Sequence, residues 1–314
     1  MKILIMGSGG VGAYYGGLLA RAGHDVTFVA RGAHLEAIRN RGLIVRSVHG
    51  DFVVAPAQAT DDPATVGPVD LVLFCVKTYD TETAAHAIRP TIGPQTLVLS
   101  LQNGIDAAER IGAIVGAEHV IGGATWLSSA IAEPGVIRQA SQFRRIVLGP
   151  LDGQVTPAIM AVYEALRETG ITVELSTEMP KVLWTKFVFI ASVSGIGCLT
   201  RLTMGEYREV PETRRLIEGL MREVKTVAEG HGVMLDGDVV ERSLAFMDGA
   251  APGIKPSMQL DVEAGRRFEL ESMIGAIGRK GREVGVPTPI ADMVYAVLLP
   301  LWCKAVREHT GRSS

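Results

Sequence analysis

A glycine-rich turn near the N-terminus constrains the fold of this 314-residue chain more than any other feature. The sequence GSGGVG at residues 7–12 fits the pattern G-x-G-x-x-G, follows an apolar strand and opens a helix. In that setting Gly7 permits a tight turn, Gly9 lets the backbone approach a pyrophosphate, and Gly12 lets helix and strand pack closely. The free N–H groups at the helix N-terminus favour a phosphate there. We predict a dinucleotide site formed by Gly7, Ser8, Gly9, Gly10, Val11 and Gly12. The alternative is a glycine-rich turn without a ligand.

The N-terminal half alternates strand and helix patterns. Apolar segments predict strands at Ile3–Met6, Asp25–Ala30, Leu71–Val76, Leu97–Leu101, Val120–Leu127, Val136–Ala140 and Ile146–Leu148. Helical patterns lie at Val11–Ala22, Thr81–Arg89, Ala107–Val115 and Pro157–Glu168. Continuous apolar strands separated by helices indicate a parallel sheet covered on both faces. The later strands are separated by turn residues at Glu133–Gly135 and Gln142, and we expect them to be antiparallel additions.

Long helical patterns replace the strands from about Pro180 onward. They lie at Lys181–Leu199, Val210–His231, Asp238–Met247, Glu269–Val284 and Ile290–His309. The chain is long enough for two domains. We therefore predict an α/β Rossmann-type dinucleotide-binding domain at residues 1–176, followed by an all-α domain at residues 177–314.

Composition excludes several classes of function. With 47% hydrophobic and 21% charged residues, the chain can bury a large core and is not expected to be disordered. A net charge of −3 without a Lys/Arg cluster gives no reason to expect a nucleic-acid partner. No charge-free apolar run of about 18 residues predicts a membrane span, so we expect a cytoplasmic protein. Cys75, Cys198 and Cys303 lie far apart in apolar segments, so we expect reduced core thiols and no metal site.

The end of the second strand favours one nicotinamide cofactor over the other. An NAD site places an acidic residue there to bind the ribose 2′-hydroxyl. Here the strand ends in VARG at residues 29–32, with Arg31 and no carboxylate. A guanidinium can form two parallel, charge-assisted hydrogen bonds with the 2′-phosphate of NADP. We predict NADP; the alternative for Arg31 is an ordinary surface arginine.

Polar side chains also follow the next two strands. Lys77 and Asn103 come directly after apolar strands, and ligands of open α/β sheets bind beyond the carboxyl ends of the strands. We expect Lys77 to face the ligand cleft. The Asn103 amide is expected to hold the nicotinamide ribose or a substrate oxygen, although Asn103-Gly104 is also a common turn sequence.

Lys186 carries the sharpest chemical signal in the C-terminal half. It is the only charged residue between Lys181 and Arg201, within a strongly apolar helix. Burial disfavours the ammonium and lowers a lysine pKa, which suits a general acid near neutral pH. The alternative is a lysine whose head reaches the surface. The Ser257 hydroxyl is a candidate to bind a substrate carboxylate; the alternative is that it caps a helix. The Glu269 carboxylate is a candidate to pair with Lys186; the alternative is a solvated glutamate.

These residues together resemble the ketopantoate reductases (2-dehydropantoate 2-reductases) of pantothenate and coenzyme A biosynthesis. The similarity runs along nearly the whole chain. It includes GSGGVG at residues 7–12, ARG at 30–32, CVKT at 75–78, QNG at 102–104, WTK at 184–186 and PSM at 256–258, followed by Glu269.

The resemblance implies a role for each matched residue. Lys186 is similar to the family's catalytic lysine, which protonates the carbonyl oxygen, and Glu269 to the acid that positions that lysine and the substrate. Ser257 aligns with a substrate-binding serine. Asn103 and Lys77 match the asparagine and lysine beside the nicotinamide and substrate. The family fold, a Rossmann-type domain followed by a helical one, implies the same organisation here, and many members are homodimers.

The sequence departs from the family at two positions on the lysine helix. The family commonly has substrate-contacting asparagines four and eight residues after the lysine, where this chain has Ile190 and Ser194. Ser194 can still bind substrate, but the Ile190 side chain cannot hydrogen-bond. Losing a polar contact weakens discrimination for a hydroxyl-bearing substrate.

The expected function is NADPH-dependent reduction of 2-dehydropantoate to pantoate. The alternatives are a related reductase of a more apolar 2-keto acid, a two-domain dehydrogenase of a hydroxy acid or amino-acid conjugate, and a non-catalytic NADP-binding sensor. A sensor would need only the glycine turn and Arg31, so the presence of Lys186, Asn103 and Glu269 argues against it.

Overall fold

A sheet of ten strands with five helices forms the first part of the chain, in a computed structural model that describes residues 1–311 and side chains up to residue 309. The strands are β1 (Lys2–Met6), β2 (Asp25–Val29), β3 (Leu43–Ser47), β4 (Phe52–Val54), β5 (Gln58–Thr60), β6 (Val69–Phe74), β7 (Ile92–Ser100), β8 (Val120–Glu133), β9 (Val136–Gly149) and β10 (Thr172–Leu175). The helices are α1 (Gly10–Arg21), α2 (Gly32–Arg41), α3 (Thr81–Ile88), α4 (Ala107–Val115) and α5 (Pro157–Glu168).

Six parallel strands form the nucleotide-binding part of this sheet. Their order is β5-β2-β1-β6-β7-β8, which is the doubly wound order 3-2-1-4-5-6. β1 lies at its centre, with Ile3 opposite Val26 of β2 on one side and Leu71 of β6 on the other. This arrangement confirms the predicted Rossmann-type sheet and brings the carboxyl ends of β1, β2, β6 and β7 to one edge.

The alternation of side chains along β1 explains why both faces of the sheet are covered. Ile3 and Ile5 pack in one buried cluster, whereas Leu4 and Met6 pack in a second. Because successive side chains of a strand point to opposite faces, a run without polar residues needs a layer on each side. The apolar character of the strand thus dictates a three-layer arrangement.

The long hairpin of β8 and β9 corrects one detail of the sequence interpretation. β9 is continuous, so the turn predicted at Gln142 between Val136–Ala140 and Ile146–Leu148 is wrong. The pairing register shifts after Leu127, where the four residues 140–143 of β9 face a single residue of β8. This irregularity accommodates the turn-like residues without ending the strand. The antiparallel pairing itself was predicted correctly.

Helices dominate the remainder of the described chain. They are α6 (Met179–Thr200), α7 (Met204–Arg208), α8 (Pro211–Gly230), α9 (Val239–Gly249), α10 (Ser257–Glu263), α11 (Ala276–Val284) and α12 (Pro289–Gly311). The predicted helix at Glu269–Val284 contains a π-helical turn at Glu271–Gly275 before α11 begins. Buried side chains of α6, including Phe187, Val188 and Ala191, belong to the core of this part.

The chain divides into two compact units. One contains residues 1–102 and 107–179, and the other contains residues 103–106 together with the chain from Pro180. We call them the α/β unit and the helical unit. The short segment Asn103–Asp106 follows β7 in the sequence but belongs with the helical unit.

Two helices of the described chain are long and apolar enough to cross a membrane by length and composition alone. They are Met179–Thr200, whose most apolar stretch is 61% buried within the protein, and Pro289–His309, with 22% buried. A core helix of a soluble protein meets the same criteria, so these two helices are weak evidence for a membrane location.

Candidate functional site

The glycine turn between β1 and α1 is held in a shape that only glycine permits. Gly7 has a φ of +99°, and a Cβ there would lie 2.7 Å from the Val76 backbone nitrogen. A Cβ on Gly12 would lie 2.2 Å from the Gly7 carbonyl oxygen. Both contacts are far shorter than a side chain tolerates, so these two glycines are required for the close approach of α1 to the turn.

The same turn leaves room on one side. A Cβ on Gly9 would meet no atom within 4 Å, and Gly9 lies at the N-terminus of α1. The neighbouring Ser8 hydroxyl is buried and has no hydrogen-bond partner among the described residues. Open space, helix N–H groups and an unsatisfied hydroxyl are the features that a pyrophosphate requires. The residues at this turn therefore fit a dinucleotide.

The edge of the α/β unit also carries the two predicted basic residues. Arg31 is exposed and occupies the N-cap position of α2, two residues after the end of β2. Lys77 is half-buried and precedes a short 3₁₀ turn at Thr78–Asp80 after β6. Val11 lies in the first turn of α1. The parallel sheet thus places the predicted nucleotide-binding residues of this unit at the carboxyl ends of its strands.

Lys186 is not a surface lysine. Its side chain is half-buried on α6, and its Nζ donates a hydrogen bond to Asn103 Oδ1 at 3.0 Å. Burial lowers the pKa of Lys186 from 10.5 to about 8, while the nearby Glu269 carboxylate acts to raise it. The structure therefore brings together three of the predicted residues, Lys186, Asn103 and Glu269, within the helical unit.

Glu269 is buried, with 6% of its surface exposed, so the alternative of a solvated glutamate is excluded. Its segment approaches α6 closely because α6 has a glycine at the contact. A Cβ on Gly195 would lie 2.8 Å from Ile274 Cδ1, in the π-helical turn that follows Glu269. Close packing of the two segments brings the carboxylate within electrostatic reach of the Lys186 amine.

The other substrate-binding candidates also lie in the helical unit. Ser257 is exposed and is the first residue of α10, which packs on α6 where a Cβ on Gly197 would meet Gln259 Oε1 at 2.4 Å. Ser194 is buried, and Ile190 is half-buried against the helical core. These positions are compatible with the predicted roles, which rest on the family resemblance.

We call Lys186, Asn103 and Glu269 the lysine site. Arg279, which sequence analysis did not select, connects two of the segments that carry it. Arg279 donates to Glu271 Oε2 at 3.0 Å and to the Glu271 carbonyl oxygen at 2.9 Å. It also forms an ion pair with Asp106 at 3.6 Å, in the segment that carries Asn103. Tyr295 donates to the other Glu271 carboxylate oxygen at 2.6 Å. Arg279 thus ties the asparagine segment to the π-helical turn after Glu269.

The comparison with protein families covers most of the chain. Residues 3–153 match the profile described as ketopantoate reductase PanE/ApbA, and residues 178–301 match the profile of the C-terminal part of the same family. The two profiles correspond to the α/β part and the helical part of the structure. The family is one of oxidoreductases.

Individual proteins agree with this assignment. The 2-dehydropantoate 2-reductase of Halobacterium salinarum is 31% identical, over 94% of this chain and 98% of that protein. A PanE/ApbA family ketopantoate reductase from Ralstonia eutropha JMP134 has a TM-score of 0.90 at 32% identity, covering 97% of this chain and 99% of that one. A D-mandelate dehydrogenase solved with NADH and anilino(oxo)acetate shares the fold, with a TM-score of 0.89 at 23% identity, covering 97% and 99% of the two chains. The chain therefore belongs to the ketopantoate reductase family of enzymes.

Proposed function

We propose that this protein reduces 2-dehydropantoate to pantoate with NADPH. The observation that carries the proposal is the half-buried Lys186 amine, hydrogen-bonded to Asn103 beside the buried Glu269. A lysine with a pKa of about 8 is protonated at neutral pH and is acidic enough to give up its proton. Membership of an enzyme family, together with these residues, sets aside a non-catalytic sensor.

In the proposed mechanism, bound NADPH supplies a hydride to the ketone carbon of the substrate. The carbonyl π electrons move to oxygen, and the Lys186 ammonium donates its proton to that oxygen, leaving a neutral amine that solvent reprotonates. As the hydride arrives and before the proton moves, the ammonium stabilises the negative charge that develops on the oxygen. Glu269 favours the protonated lysine through its charge, and Asn103 orients the amine through its side-chain oxygen.

The remaining candidates are proposed to bind rather than react. The glycine turn and Lys77 hold the nucleotide, with Arg31 on its 2′-phosphate. Asn103 serves both nicotinamide and substrate, and Ser257 binds the substrate carboxylate with help from Ser194. Because a D-mandelate dehydrogenase of the same fold was solved with NADH, the fold alone does not select the cofactor, and the choice of NADPH rests on Arg31.

The cofactor proposal is tested by replacing Arg31. Arg31→Gln is expected to raise the Kd for NADPH about 10- to 100-fold, because it removes a charge-assisted hydrogen bond to phosphate, and to change the Kd for NADH less than about threefold. Arg39→Gln on the same helix, where Arg39 pairs with Asp61, is the matched control. Tighter NADH than NADPH binding by the wild type would contradict the proposal.

The substrate has a second candidate because Ile190 occupies a position where the family commonly has an asparagine. An apolar side chain there favours a more apolar 2-keto acid than ketopantoate. The test compares kcat/KM for ketopantoate with that for 3,3-dimethyl-2-oxobutanoate, which lacks the hydroxyl. A preference for ketopantoate supports the first substrate. A preference for the analogue supports the more apolar substrate. In that case Ile190→Asn should shift the ratio of the two kcat/KM values about tenfold towards ketopantoate.

We further propose a cytoplasmic homodimer without a membrane or nucleic-acid partner. Met293 and Val297 lie one turn apart on α12 and are 42% and 54% exposed, so this helix carries apolar surface that a second copy could cover. Light scattering during size-exclusion chromatography is expected to give twice the chain mass without detergent. A monomer mass would contradict the dimer.

A further inference from the structure

His34 connects the glycine turn to a distant part of the α/β unit. It lies in the first turn of α2, three residues after Arg31, and is half-buried. Its Nε2 is 2.9 Å from the Ser8 carbonyl oxygen, in the glycine turn. Its Nδ1 accepts a hydrogen bond of 3.0 Å from the Gly135 backbone N–H, in the turn between β8 and β9.

The two bonds together specify one form of the imidazole. The Gly135 N–H can only donate, so Nδ1 must present a lone pair. The Ser8 carbonyl can only accept, so Nε2 must carry the proton. Only the neutral ring with its hydrogen on Nε2 satisfies both partners. Burial lowers the pKa of His34, which favours the neutral ring.

The bond to Ser8 fixes a peptide group in the nucleotide turn. The Ser8 N–H already donates to the Val29 carbonyl oxygen at 3.0 Å, so the His34 bond holds the other side of this residue. In a planar trans peptide the carbonyl and the following N–H point in opposite directions. Holding the Ser8 carbonyl on His34 therefore directs the Gly9 N–H away from α2.

The space around Gly9 gives this orientation a purpose. Gly9 is the residue whose Cβ would meet nothing within 4 Å, and it stands at the N-terminus of α1. The buried Ser8 hydroxyl, which has no partner among the described residues, lies on the same peptide segment. A diphosphate group in this space would accept hydrogen bonds from an N–H group already in place.

We propose that His34 is a positioning residue for the diphosphate of the dinucleotide, acting through the Ser8–Gly9 peptide without touching the ligand. The inference rests on the proposed function, because it assumes that the glycine turn binds a dinucleotide. It adds a residue that neither the glycine motif nor the family resemblance selected.

The bond to Gly135 has a different role, because the hairpin turn has other attachments. Arg41 donates to the Pro134 carbonyl oxygen at 3.0 Å, and the Ile44 N–H donates to the Gly135 carbonyl oxygen at 2.9 Å. Losing the His34 bond to Gly135 therefore leaves the hairpin turn in place. The nucleotide affinity is expected to depend mainly on the bond to Ser8.

Two amide substitutions separate the two bonds. In His34→Gln the amide reaches the position of Nε2 and can donate to Ser8, whereas in His34→Asn it reaches only the position of Nδ1 and can accept from Gly135. We expect His34→Ala and His34→Asn to raise the Kd for NADPH about tenfold, and His34→Gln to remain within about threefold of the wild type. His86→Ala, at an exposed histidine on α3, is the matched control.

Further readouts distinguish positioning from general destabilisation. The KM for NADPH is expected to follow the Kd values, with kcat at saturating NADPH unchanged within about twofold. The Kd for ADP, which retains the diphosphate, should rise in His34→Asn, whereas the Kd for 2′-AMP, which lacks it, should not. Thermal melting without nucleotide checks that each variant is folded, and if His34→Ala is not, the Gln and Asn variants decide the outcome.

Each alternative result has a distinct meaning. Wild-type affinity in His34→Asn with a tenfold loss in His34→Gln would overturn the proposed role of the Ser8 bond. Unchanged Kd values in all three variants would overturn the inference while leaving the proposed function intact. Failure of the wild-type protein to bind either NADPH or NADH would overturn both.

Discussion

The glycine turn of the α/β unit and the lysine site of the helical unit are constructed from different chemical groups. The glycine turn consists of six consecutive residues, and it offers backbone N–H groups and empty space at the N-terminus of α1. The lysine site consists of side chains from three separate stretches of sequence, contributed by Lys186, Asn103 and Glu269. Binding at the glycine turn is therefore expected to depend on shape, and chemistry at the lysine site on charge and proton affinity.

This difference determines how each region responds to change. Backbone N–H groups do not titrate, so the donors that the glycine turn offers are sensitive to added atoms and keep their protons at every pH. The Lys186 amine has a pKa lowered to about 8, so its protonation depends on pH and on neighbouring charges. Substitutions in the turn should therefore alter nucleotide binding, whereas substitutions around Lys186 should alter the rate.

The largest effect is expected from Lys186→Met. Without a proton donor, kcat should fall by roughly 10²–10⁴, while the Kd for NADPH should remain within about threefold of the wild type. Steady-state NADPH oxidation and nucleotide binding measure the two quantities. The control is Lys181→Met. Lys181 lies on the same helix as Lys186 and pairs with Asp236. A loss of activity below threefold would contradict the proton-donor role.

A smaller effect in the other region is expected from Gly9→Ala. The added methyl group meets no protein atom within 4 Å and the backbone φ is −74°, so the melting temperature should change little. The methyl would occupy the space proposed for the diphosphate, so the Kd for NADPH should rise about 10- to 100-fold. Gly12→Ala, which places a Cβ 2.2 Å from the Gly7 oxygen, should instead destabilise the fold. Unchanged affinity in folded Gly9→Ala would place the diphosphate elsewhere.

A modest effect is expected from Arg279→Met. The variant breaks the connection between Asp106 and Glu271, so kcat should fall about three- to tenfold with NADPH affinity unchanged. Arg279→Lys should recover part of the rate because it restores the charge without the planar fork. Arg282→Met, on the same helix and paired with Asp292, is the matched control. Equal losses in both methionine variants would indicate general destabilisation of α11.

The sequence predicted the glycine turn well because its determinants are local. The strand, turn and helix occupy consecutive residues. The strands are apolar on both faces, which indicates a parallel sheet covered on both sides. The burial of Lys186 was also predictable, because its neighbours on α6 are almost all apolar. Short strands such as Phe52–Val54 were missed, since three residues are too few to show a periodic apolar pattern.

The connections within each region were not predictable from the same patterns. Lys186 and Asn103 are 83 residues apart in sequence, and His34 and Gly135 are 101 residues apart. No period or motif encodes such a pair. The π-helical turn at Glu271–Gly275 looks like ordinary helix in the sequence, and the membership of Asn103–Asp106 in the helical unit follows only from tertiary contacts.

The pH dependence of kcat/KM, measured for the wild type and for Glu269→Gln, tests most directly whether the Lys186 amine supplies the proton. Below the lysine pKa the amine is protonated, so kcat/KM should be constant and should then fall tenfold per pH unit above about pH 8. Because the Glu269 charge raises the pKa of Lys186, Glu269→Gln should move this decline to lower pH. A wild-type profile that stays flat to pH 10, or a decline that Glu269→Gln moves to higher pH, would contradict this role for Lys186.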